Sequence, residues 1–418
     1  MYTIPYGRTQ LNFSLPASVK SDLINPPEAK HPTLGSAAVR EALKNPLSEY
    51  SLADFSAAKT VVIAINDKTR PVPYALLLPP LLEELKRNGI GAEKITFIIS
   101  TGTHTPATDQ DIHASLPADI IEKYRVISHN CDEPQSLVKL GITSRGTPVY
   151  TNRIFYEADL KILVGDIEPH HFAGFSGGYK TASIGLAGRE TINQNHTMLM
   201  DPRSTIAEVE TNPLRQDIEE IGKMTGAHFA LNAILNVERE ILQAFFGEPH
   251  KVYEAGVTFA REICQTRVET SYDVVIASAG GYPKDINFYQ AQKVLAPACR
   301  LVKENGVIIM AAECCEGVGS QGYEDFLSDV HSHQEVIEKF KRTGFIVGPH
   351  KALMIAIQAK RARIILVSGL PEEKVKKCLL EYATSIEEAI KKINLKPLTD
   401  KVAILAHAIN TIPVVVGD

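Results

Sequence analysis

Two histidines, a glycine-rich turn and a lysine lie within one short stretch of the chain, residues 166–180, and a further histidine, His196, follows it. The stretch comes directly after an apolar run over 160–165, which predicts a buried strand. Its glycines permit positive φ and a close approach of the backbone to a ligand. Consecutive N–H groups in such a turn suit a phosphate. The alternative is a tight strand-to-helix turn with solvated histidines, but the pattern favours a functional site.

His104 and His170 are candidates for proton transfer because imidazole titrates near neutral pH. His104 follows a glycine-containing turn and precedes Thr108, which is typical of a helix N-cap. Two bases facing one carbon or hydroxyl suit a racemase, whereas a capping or structural role is the alternative for either histidine alone. His196 could ligate a metal, but no second and third ligand follow at helical spacing, which disfavours a conventional zinc enzyme.

Two further sets of polar residues suit an anionic ligand. Asp67 offers an acceptor for a sugar hydroxyl or a cation, and Arg70 offers a planar fork for a carboxylate or phosphate. The alternative for this pair is a surface ion pair. Tyr289 and Lys293 share one face of a predicted helix, with Gln290 next to it. These three could contact a carboxylate, or they could form an ordinary solvated helix face.

The candidate residues follow predicted strands of a repeating strand–helix pattern, which predicts parallel, doubly wound sheets. In open α/β sheets the ligand crevice lies beyond the carboxyl ends of the strands. We therefore expect the polar clusters that follow these strands to converge on one cleft. The clusters are 66–71, 100–106, 166–180 and 280–285.

The length of 418 residues predicts two domains. From the strand–helix pattern we expect both to be doubly wound α/β domains, with the active site in the cleft between them. We expect an N-terminal domain over 1–268 that carries the cofactor and the catalytic histidines. A C-terminal domain over 269–404 contributes substrate contacts, and the sequence leaves open whether 405–418 return to the first domain. Among single elements, the pattern predicts a helix over 79–87 with Pro80 in its first turn and a helix over 286–303 broken at Pro297.

The composition excludes several classes of partner. A net charge of −5 offers no basic field for nucleic acid or for an anionic membrane. The N-terminus lacks the order of a signal peptide and no apolar run has the length of a membrane span, so we expect a cytoplasmic protein. The six cysteines show no Cys-x-x-Cys spacing and predict neither a zinc knuckle nor a disulfide framework.

Five motifs in order resemble the lactate racemase family that uses the nickel-pincer nucleotide cofactor, and the resemblance covers most of the chain. They are Asp-Lys-Thr-Arg-Pro (67–71), Thr-Gly-Thr-His (101–104), Pro-His-His-Phe-Ala-Gly-Phe-Ser-Gly-Gly-Tyr-Lys (169–180), Asn-His (195–196) and Pro-Lys-Asp-Ile-Asn-Phe-Tyr-Gln-Ala-Gln-Lys (283–293).

The resemblance implies a cofactor and a role for each matching residue. The cofactor is nickel held by pyridinium-3-thioamide-5-thiocarboxylic acid mononucleotide, tethered to the matching lysine, Lys180. His196 matches the protein's nickel ligand, and His104 and His170 match the acid/base pair. The other matches are cofactor contacts (Asp67, Arg70, Ser176, Gly177, Gly178 and Tyr289) and substrate contacts (Arg70, Gln290 and Lys293).

The implied reaction is racemisation or epimerisation of a 2-hydroxy acid, with lactate as the default substrate. One histidine takes the hydroxyl proton while hydride moves to the cofactor, and the return of hydride to the other face inverts the carbon. The partners implied are a small 2-hydroxy acid and the proteins that make and insert the cofactor; the sequence leaves a homo-oligomer open.

One departure concerns the substrate. Lactate-racemising members carry a tryptophan in the pocket, and this chain has none. The local stretch 344–352 differs from theirs, which leaves malate, another longer 2-hydroxy acid or a sugar acid as alternatives. A rival from another class is a non-catalytic protein that binds or senses a nucleotide on the same scaffold.

Overall fold

The structure, a computed structural model, describes residues 1–27, 31–70, 72–236, 238–346, 348–396 and 398–417. The strands in these ranges are β1 (Tyr2–Tyr6), β2 (Thr9–Phe13), β3 (Lys20–Leu23), β4 (Val61–Asn66), β5 (Ile95–Ser100), β6 (Arg125–Ser128), β7 (Leu137–Ile142), β8 (Pro148–Asn152), β9 (Leu160–Asp166), β10 (Pro169–His170), β11 (Gly174–Phe175), β12 (Phe229–Leu235), β13 (Ile241–Gly247), β14 (Gln265–Val268), β15 (Tyr272–Ser278), β16 (Val302–Ala311), β17 (Ala362–Val367), β18 (Glu381–Ala383), β19 (Lys401–Leu405) and β20 (Ile412–Val415).

Helices alternate with most of these strands. They are α1 (Ser36–Lys44), α2 (Tyr74–Arg87), α3 (Asp109–Ser115), α4 (Ala118–Lys123), α5 (Arg153–Glu157), α6 (Lys180–Ser183), α7 (Arg189–Thr197), α8 (Pro213–Thr225), α9 (Pro249–Cys264), α10 (Phe288–Ala291), α11 (Leu295–Leu301), α12 (Gln321–Leu327), α13 (His333–Thr343), α14 (Pro349–Ala359), α15 (Glu372–Lys377) and α16 (Ile386–Lys392). Within the described ranges, none of these helices combines the length and the apolar character that a membrane span requires.

The chain divides into two compact units, which we name the central unit (residues 29–262) and the terminal unit (residues 1–28 with 263–418). The division differs from the expected boundary at 268 in two respects: the split falls between residues 262 and 263, and the first 27 residues belong with the C-terminal part of the chain. Strand β3 pairs with β19, and Ile4 and Phe13 of the N-terminal hairpin are buried in the terminal unit's core.

The central unit is built on a six-stranded sheet in the order β13-β12-β9-β4-β5-β6. Its strands are parallel except for β13, which pairs antiparallel with β12. Every residue of β9 is buried, as expected of a parallel strand covered on both faces. Apolar side chains of α1 and α2 join those of the strands in a single core.

The terminal unit contains a second six-stranded sheet in the order β18-β17-β16-β15-β19-β3, and all of its strands are parallel. The predicted α/β class with two doubly wound sheets is therefore confirmed. The final strands pair inside this unit, β19 with β15 and β20 with β14, instead of returning to the central sheet.

Two helices differ from their predicted form, and both contain proline. Helix α2 begins at Tyr74, so Pro79 and Pro80 lie inside it and not in its first turn. The helix predicted over 286–303 is divided by a 3-10 turn over Gln292–Val294, and Pro297 lies in the first turn of α11. A proline there interrupts no helical hydrogen bond, because the N–H groups of a first turn have no partner within the helix.

Candidate active site

The candidate residues of the central unit lie where the order of its sheet reverses. The chain passes from β4 to β5 and β6 on one side, whereas β9 and β12 lie on the other. A crevice at the carboxyl ends of β4 and β9 is the expected ligand site of such a sheet. The two strand ends are joined by a hydrogen bond in which Asn66 Nδ2 donates to Asp166 Oδ1 over 3.3 Å.

His104 and Asp67 form a hydrogen-bonded pair at the ends of β5 and β4. His104 Nδ1 lies 2.6 Å from Asp67 Oδ2, and Thr69 donates its hydroxyl to Asp67 Oδ1 over 2.6 Å. Burial opposes ionisation of Asp67, but the hydrogen bonds from His104 and Thr69 prevail and lower its pKa. Since the carboxylate accepts a proton from Nδ1, the other ring nitrogen of His104 has a lone pair that can take a proton. The sequence did not predict this orienting role for Asp67.

His170 is buried in the turn that follows β9. Its ring stacks on that of His171 at 4.6 Å and meets the edge of Phe172 at 4.5 Å. The backbone N–H of Ala173 donates to His170 Nδ1 over 3.2 Å. His104 and His170 therefore have different partners at Nδ1, a carboxylate in one case and a backbone N–H group in the other.

His196 lies on α7, and a chain of hydrogen bonds fixes which ring nitrogen carries its proton. The side-chain amide of Asn195 donates to Asp217 Oδ2 over 2.8 Å and to the Leu214 carbonyl over 3.2 Å. Its oxygen therefore faces His196 Nδ1, at 3.1 Å, and must accept a proton from it. Burial, and then the charge of Lys180, lowers the pKa of His196 to about 3, so its ring is neutral with a lone pair on Nε2.

Lys180 begins α6 and is half-buried among charged groups. Withdrawal of its amine from water, followed by the charges of Arg70 and Arg215, holds its pKa well below the usual value, and the carboxylates of Glu168 and Asp166 oppose this only partly. This shift favours the uncharged amine, which is the form of lysine that can act as a nucleophile.

Arg70 pairs with Glu168 and not with Asp67, which replaces the surface ion pair considered from the sequence. Arg70 Nη1 lies 3.1 Å from Glu168 Oε1, and Arg239 Nη1 lies 3.4 Å from Glu168 Oε2. Asp166 lies beneath them and is 1% exposed. Burial, and then the Glu168 charge, raises the pKa of Asp166 to about 7.

The glycine-rich turn is packed against protein. Gly177 and Gly178 have φ of 80° and 57°. A Cβ at Gly177 would lie 2.4 Å from Ile167 Cγ1, and one at Gly178 would lie 2.8 Å from Tyr253 Cβ. The N–H of Ser176 donates to the Glu168 carbonyl and that of Gly178 to Asn232 Oδ1, over 2.8 Å in each case. These N–H groups are engaged inside the protein, so the structure favours a packing role over the predicted phosphate cradle.

The remaining candidates lie in the terminal unit. Tyr289 and Gln290 are on α10, and Lys293 is in the 3-10 turn that follows it. The ring of Tyr289 lies 6.3 Å from that of His350, and Lys351 Nζ lies 5.7 Å from the Tyr289 ring centre. The predicted cluster 280–285 follows β15 in this unit, so three of the four clusters share the central sheet.

Sequence reasoning missed three residues that organise this site, which are Arg215, Asp217 and Arg239. It also missed the hydrogen-bond and ion-pair partners of Glu168 and Asn195. Arg215 is 1% exposed and stacks on the ring of Tyr253 at 3.5 Å. Glu168 lies in the polar cluster 166–180 and Asn195 in the motif 195–196, so the sequence pointed to both. Nothing in the local sequence distinguishes Arg215, Asp217 and Arg239 from surface residues. Pro71, the last residue of the 67–71 motif, lies outside the described residues.

A doubly wound α/β protein with two histidines, a lysine of lowered pKa and a neutral buried histidine at one sheet edge is equipped for proton transfer around a bound small molecule. Comparison with known families makes the assignment specific. Residues 6–207 match the lactate racemase N-terminal domain, and residues 268–416 match the lactate racemase C-terminal domain. The chain belongs to the lactate racemase family, and it is an isomerase of the racemase type. The non-catalytic alternative is thereby set aside.

Individual relatives agree with this assignment. The chain is 31% identical to lactate racemase of Thermoanaerobacterium thermosaccharolyticum, over 93% of each chain, and 30% identical to that of Lactiplantibacillus plantarum, over 85% of each. The solved apoprotein structure of lactate racemase from T. thermosaccharolyticum superposes with a TM-score of 0.90 at 29% identity, covering 99% of both chains. A crystal structure of a Thermotoga maritima protein, at 17% identity and a TM-score of 0.62 over 91% of this chain and 98% of that one, shares the fold.

Proposed function

We propose that this protein racemises a 2-hydroxy acid, lactate in the first instance, with a nickel-pincer nucleotide tethered to Lys180. The observation that carries the proposal is the setting of Lys180, where burial and the charges of Arg70 and Arg215 lower the pKa of the amine and favour its uncharged form. Only an uncharged amine can form a covalent bond through nitrogen. Of the two arginines, Arg70 is part-exposed and provides positive charge for the cofactor's phosphate, whereas Arg215 is buried and pairs with Glu219.

The donor set of the protein also fits a metal brought by the cofactor. Among the described residues, no group of three or more histidine, cysteine or acidic side chains could hold a metal ion. A metal at this site therefore needs most of its ligands from a bound group. His196 fits the single protein ligand, because its Nε2 lone pair is held in place by the hydrogen bond from Nδ1 to Asn195.

The chain's own residues would supply proton transfer and orientation. His104 takes the hydroxyl proton at Nε2, and the Asp67 carboxylate stabilises the imidazolium that forms. When bound, the cofactor supplies a hydride acceptor for the substrate carbon. A hydride route is favoured because an ionised carboxylate stabilises a neighbouring carbanion poorly. His170 serves the opposite face of the carbon. We assign Arg70, Gln290 and Lys293 to binding of the substrate. We assign Asp67 and Tyr289 to binding of the cofactor.

The different partners of the two histidines have a kinetic consequence. Enantiomers are equal in free energy, so kcat/KM must be equal in both directions at every pH. A carboxylate stabilises protonated His104, whereas a backbone N–H group does not stabilise protonated His170. We therefore expect kcat and KM to differ individually between the two directions while their ratio stays equal.

A larger substrate is the second candidate, and the observation that favours it is the absence of tryptophan from the chain. His350 and Lys351 are buried in the stretch that differs from lactate-racemising members. Malate and sugar acids should be assayed beside lactate. A rate on one of them far above the rate on lactate would assign the chain to that substrate.

The test uses protein co-expressed with cofactor-making enzymes, which we propose as its partners. Loaded wild-type protein should racemise L-lactate and show a mass increment under denaturing conditions, which Lys180→Ala should abolish. His104→Ala and His170→Ala should keep the increment and lose on the order of 100-fold or more in rate. His113→Ala, an exposed histidine on α3, is the matched control. An intact rate in either active-site variant, or no increment in wild type, would contradict the assignment.

A further inference from the structure

The ion pair between Arg70 and Glu168 occupies a side chain that the proposed function assigns to the substrate carboxylate. We propose that Glu168 is an internal competitor for Arg70, and that Arg239 draws Glu168 away from Arg70 when a carboxylate binds. Glu168 and Arg239 would then be positioning residues that set the affinity for the substrate anion. The inference rests on the proposed role of Arg70.

The geometry gives Glu168 two alternative cationic partners. Its Oε1 lies 3.1 Å from Arg70 Nη1, and its Oε2 lies 3.4 Å from Arg239 Nη1. One carboxylate thus bridges two guanidinium groups, each of which could hold it alone through a bidentate pair. If an incoming carboxylate takes the guanidinium of Arg70, a small side-chain rotation leaves Glu168 paired with Arg239.

The three side chains have the freedom that such an exchange requires. Their exposed fractions are 29% for Arg70, 33% for Glu168 and 44% for Arg239. The backbone of Glu168 is fixed, because its N–H donates to Ser176 Oγ over 2.9 Å and its carbonyl accepts from the Ser176 N–H over 2.8 Å. Glu168 can therefore reach either arginine only by a rotation of its side chain.

Arg239 is held in place as the receiving partner. It lies at the tip of the β12–β13 hairpin with φ of 65°, and its N–H donates to the Asn236 carbonyl over 3.1 Å. Its Nη1 also lies 3.7 Å from Asp166 Oδ2, a buried oxygen to which none of the described residues donates a hydrogen bond. This second carboxylate keeps the Arg239 guanidinium near Glu168 whichever partner Glu168 has.

The energetic consequence is a competition with a defined sign. A substrate carboxylate at Arg70 must displace Glu168, so removing the Glu168 charge should tighten anion binding. Removing Arg239 takes away the alternative partner and should weaken it. Part-exposed ion pairs are modest in strength, so each effect should be roughly two- to fivefold in Kd.

A double-mutant cycle tests the competition in the full chain. Racemic lactate is titrated calorimetrically at low ionic strength, since a racemase causes no net reaction in a racemate. We expect a lower Kd for Glu168→Gln, a higher Kd for Arg239→Gln, and a near wild-type Kd for Arg239→Lys. In the double variant the Arg239→Gln effect should vanish, because Arg239 acts only through Glu168. Arg153→Gln, an exposed arginine of the same unit paired with Glu157, should leave Kd unchanged.

Two results would overturn the competition. One is an unchanged or higher Kd in Glu168→Gln, and the other is an Arg239→Gln effect that persists without Glu168, which would indicate a role through Asp166. Acetate, a bare carboxylate, is titrated in parallel by NMR. Loss of lactate binding with an intact acetate cycle would overturn the proposed substrate and support this inference, whereas a flat acetate cycle would overturn the inference.

Discussion

The three histidines of the candidate site have different neighbours, so the same side-chain type is suited to different tasks in the central unit. His104 donates to a carboxylate, His170 accepts a backbone N–H, and His196 donates to an amide oxygen. A histidine's protonation and tautomer are set by the partner of one ring nitrogen, which then fixes what the other nitrogen can do. Residue type alone identified all three positions but could not assign their chemistry.

The hydrogen-bond chain behind His196 gives a prediction about metal retention. The Asp217 carboxylate accepts hydrogen bonds from the hydroxyl groups of Thr143 and Thr147 and from the side-chain amide of Asn195. The last of these bonds keeps the Asn195 oxygen directed towards His196. Asp217→Asn would allow that amide to turn over, and we expect nickel affinity in loaded protein to fall about 10- to 100-fold. Metal content after dialysis measures this, with the exposed Asp132→Asn as control. Equal nickel retention in both variants would show that Asp217 does not affect nickel binding.

The lowered pKa of His196 predicts a pH dependence of stability in cofactor-free protein. Its folded-state pKa is about 3, below the ordinary value of 6.5. The unfolded chain therefore binds the extra proton first, so the neutral ring contributes its full stability above pH 6.5 and loses it as pH falls from there towards 3. Urea unfolding from pH 7 to pH 4 should show a steeper loss for wild type than for His196→Gln. An equal loss of stability with falling pH in wild type and His196→Gln would contradict the lowered pKa of His196.

At the scale of elements, the turn after β9 is a rigid support and not an open loop. Gly177→Ala would place a methyl group against Ile167 in a backbone conformation with φ of 80°. We expect a loss of about 1–3 kcal/mol in the free energy of unfolding, with or without cofactor. Chemical denaturation of cofactor-free protein measures it, with Gly146→Ala as a matched control, since Gly146 has φ of 82° and open space around its Cβ. A loss no larger than the control's would return the turn to a ligand-binding role.

The strands that carry the site were predictable because a strand buried on both faces is a continuous apolar run in the sequence. Strand β9 extends the predicted apolar run over 160–165 by one residue. The β7–β8 hairpin and α8 were not predicted, since their apolar residues are mixed with charges. The sequence could not predict that Arg239 contacts Glu168 or that Asp217 orients Asn195 beside His196, because these residues are distant in the chain and come together only in the folded protein.

At the scale of the whole molecule, the terminal unit depends on the first residues of the chain. Ile4 is 0% exposed and belongs to that unit's core, whereas Leu23 on β3 is 52% exposed. Ile4→Ala should cost about 2–5 kcal/mol in the free energy of unfolding because it leaves a cavity, and Leu23→Ala should cost far less. Urea unfolding compares the two variants. Similar costs would mean that the N-terminal hairpin does not contribute to this core.

The pairing of β3 with β19 also orders events during synthesis. Lys20 is opposite Lys401 in this ladder, so β3 waits for a strand that leaves the ribosome only after the whole central unit. All strands of the central sheet have been made once residue 247 has emerged. The central unit can therefore fold on the nascent chain, while the edge strand β3 stays unpaired until β19 has been made.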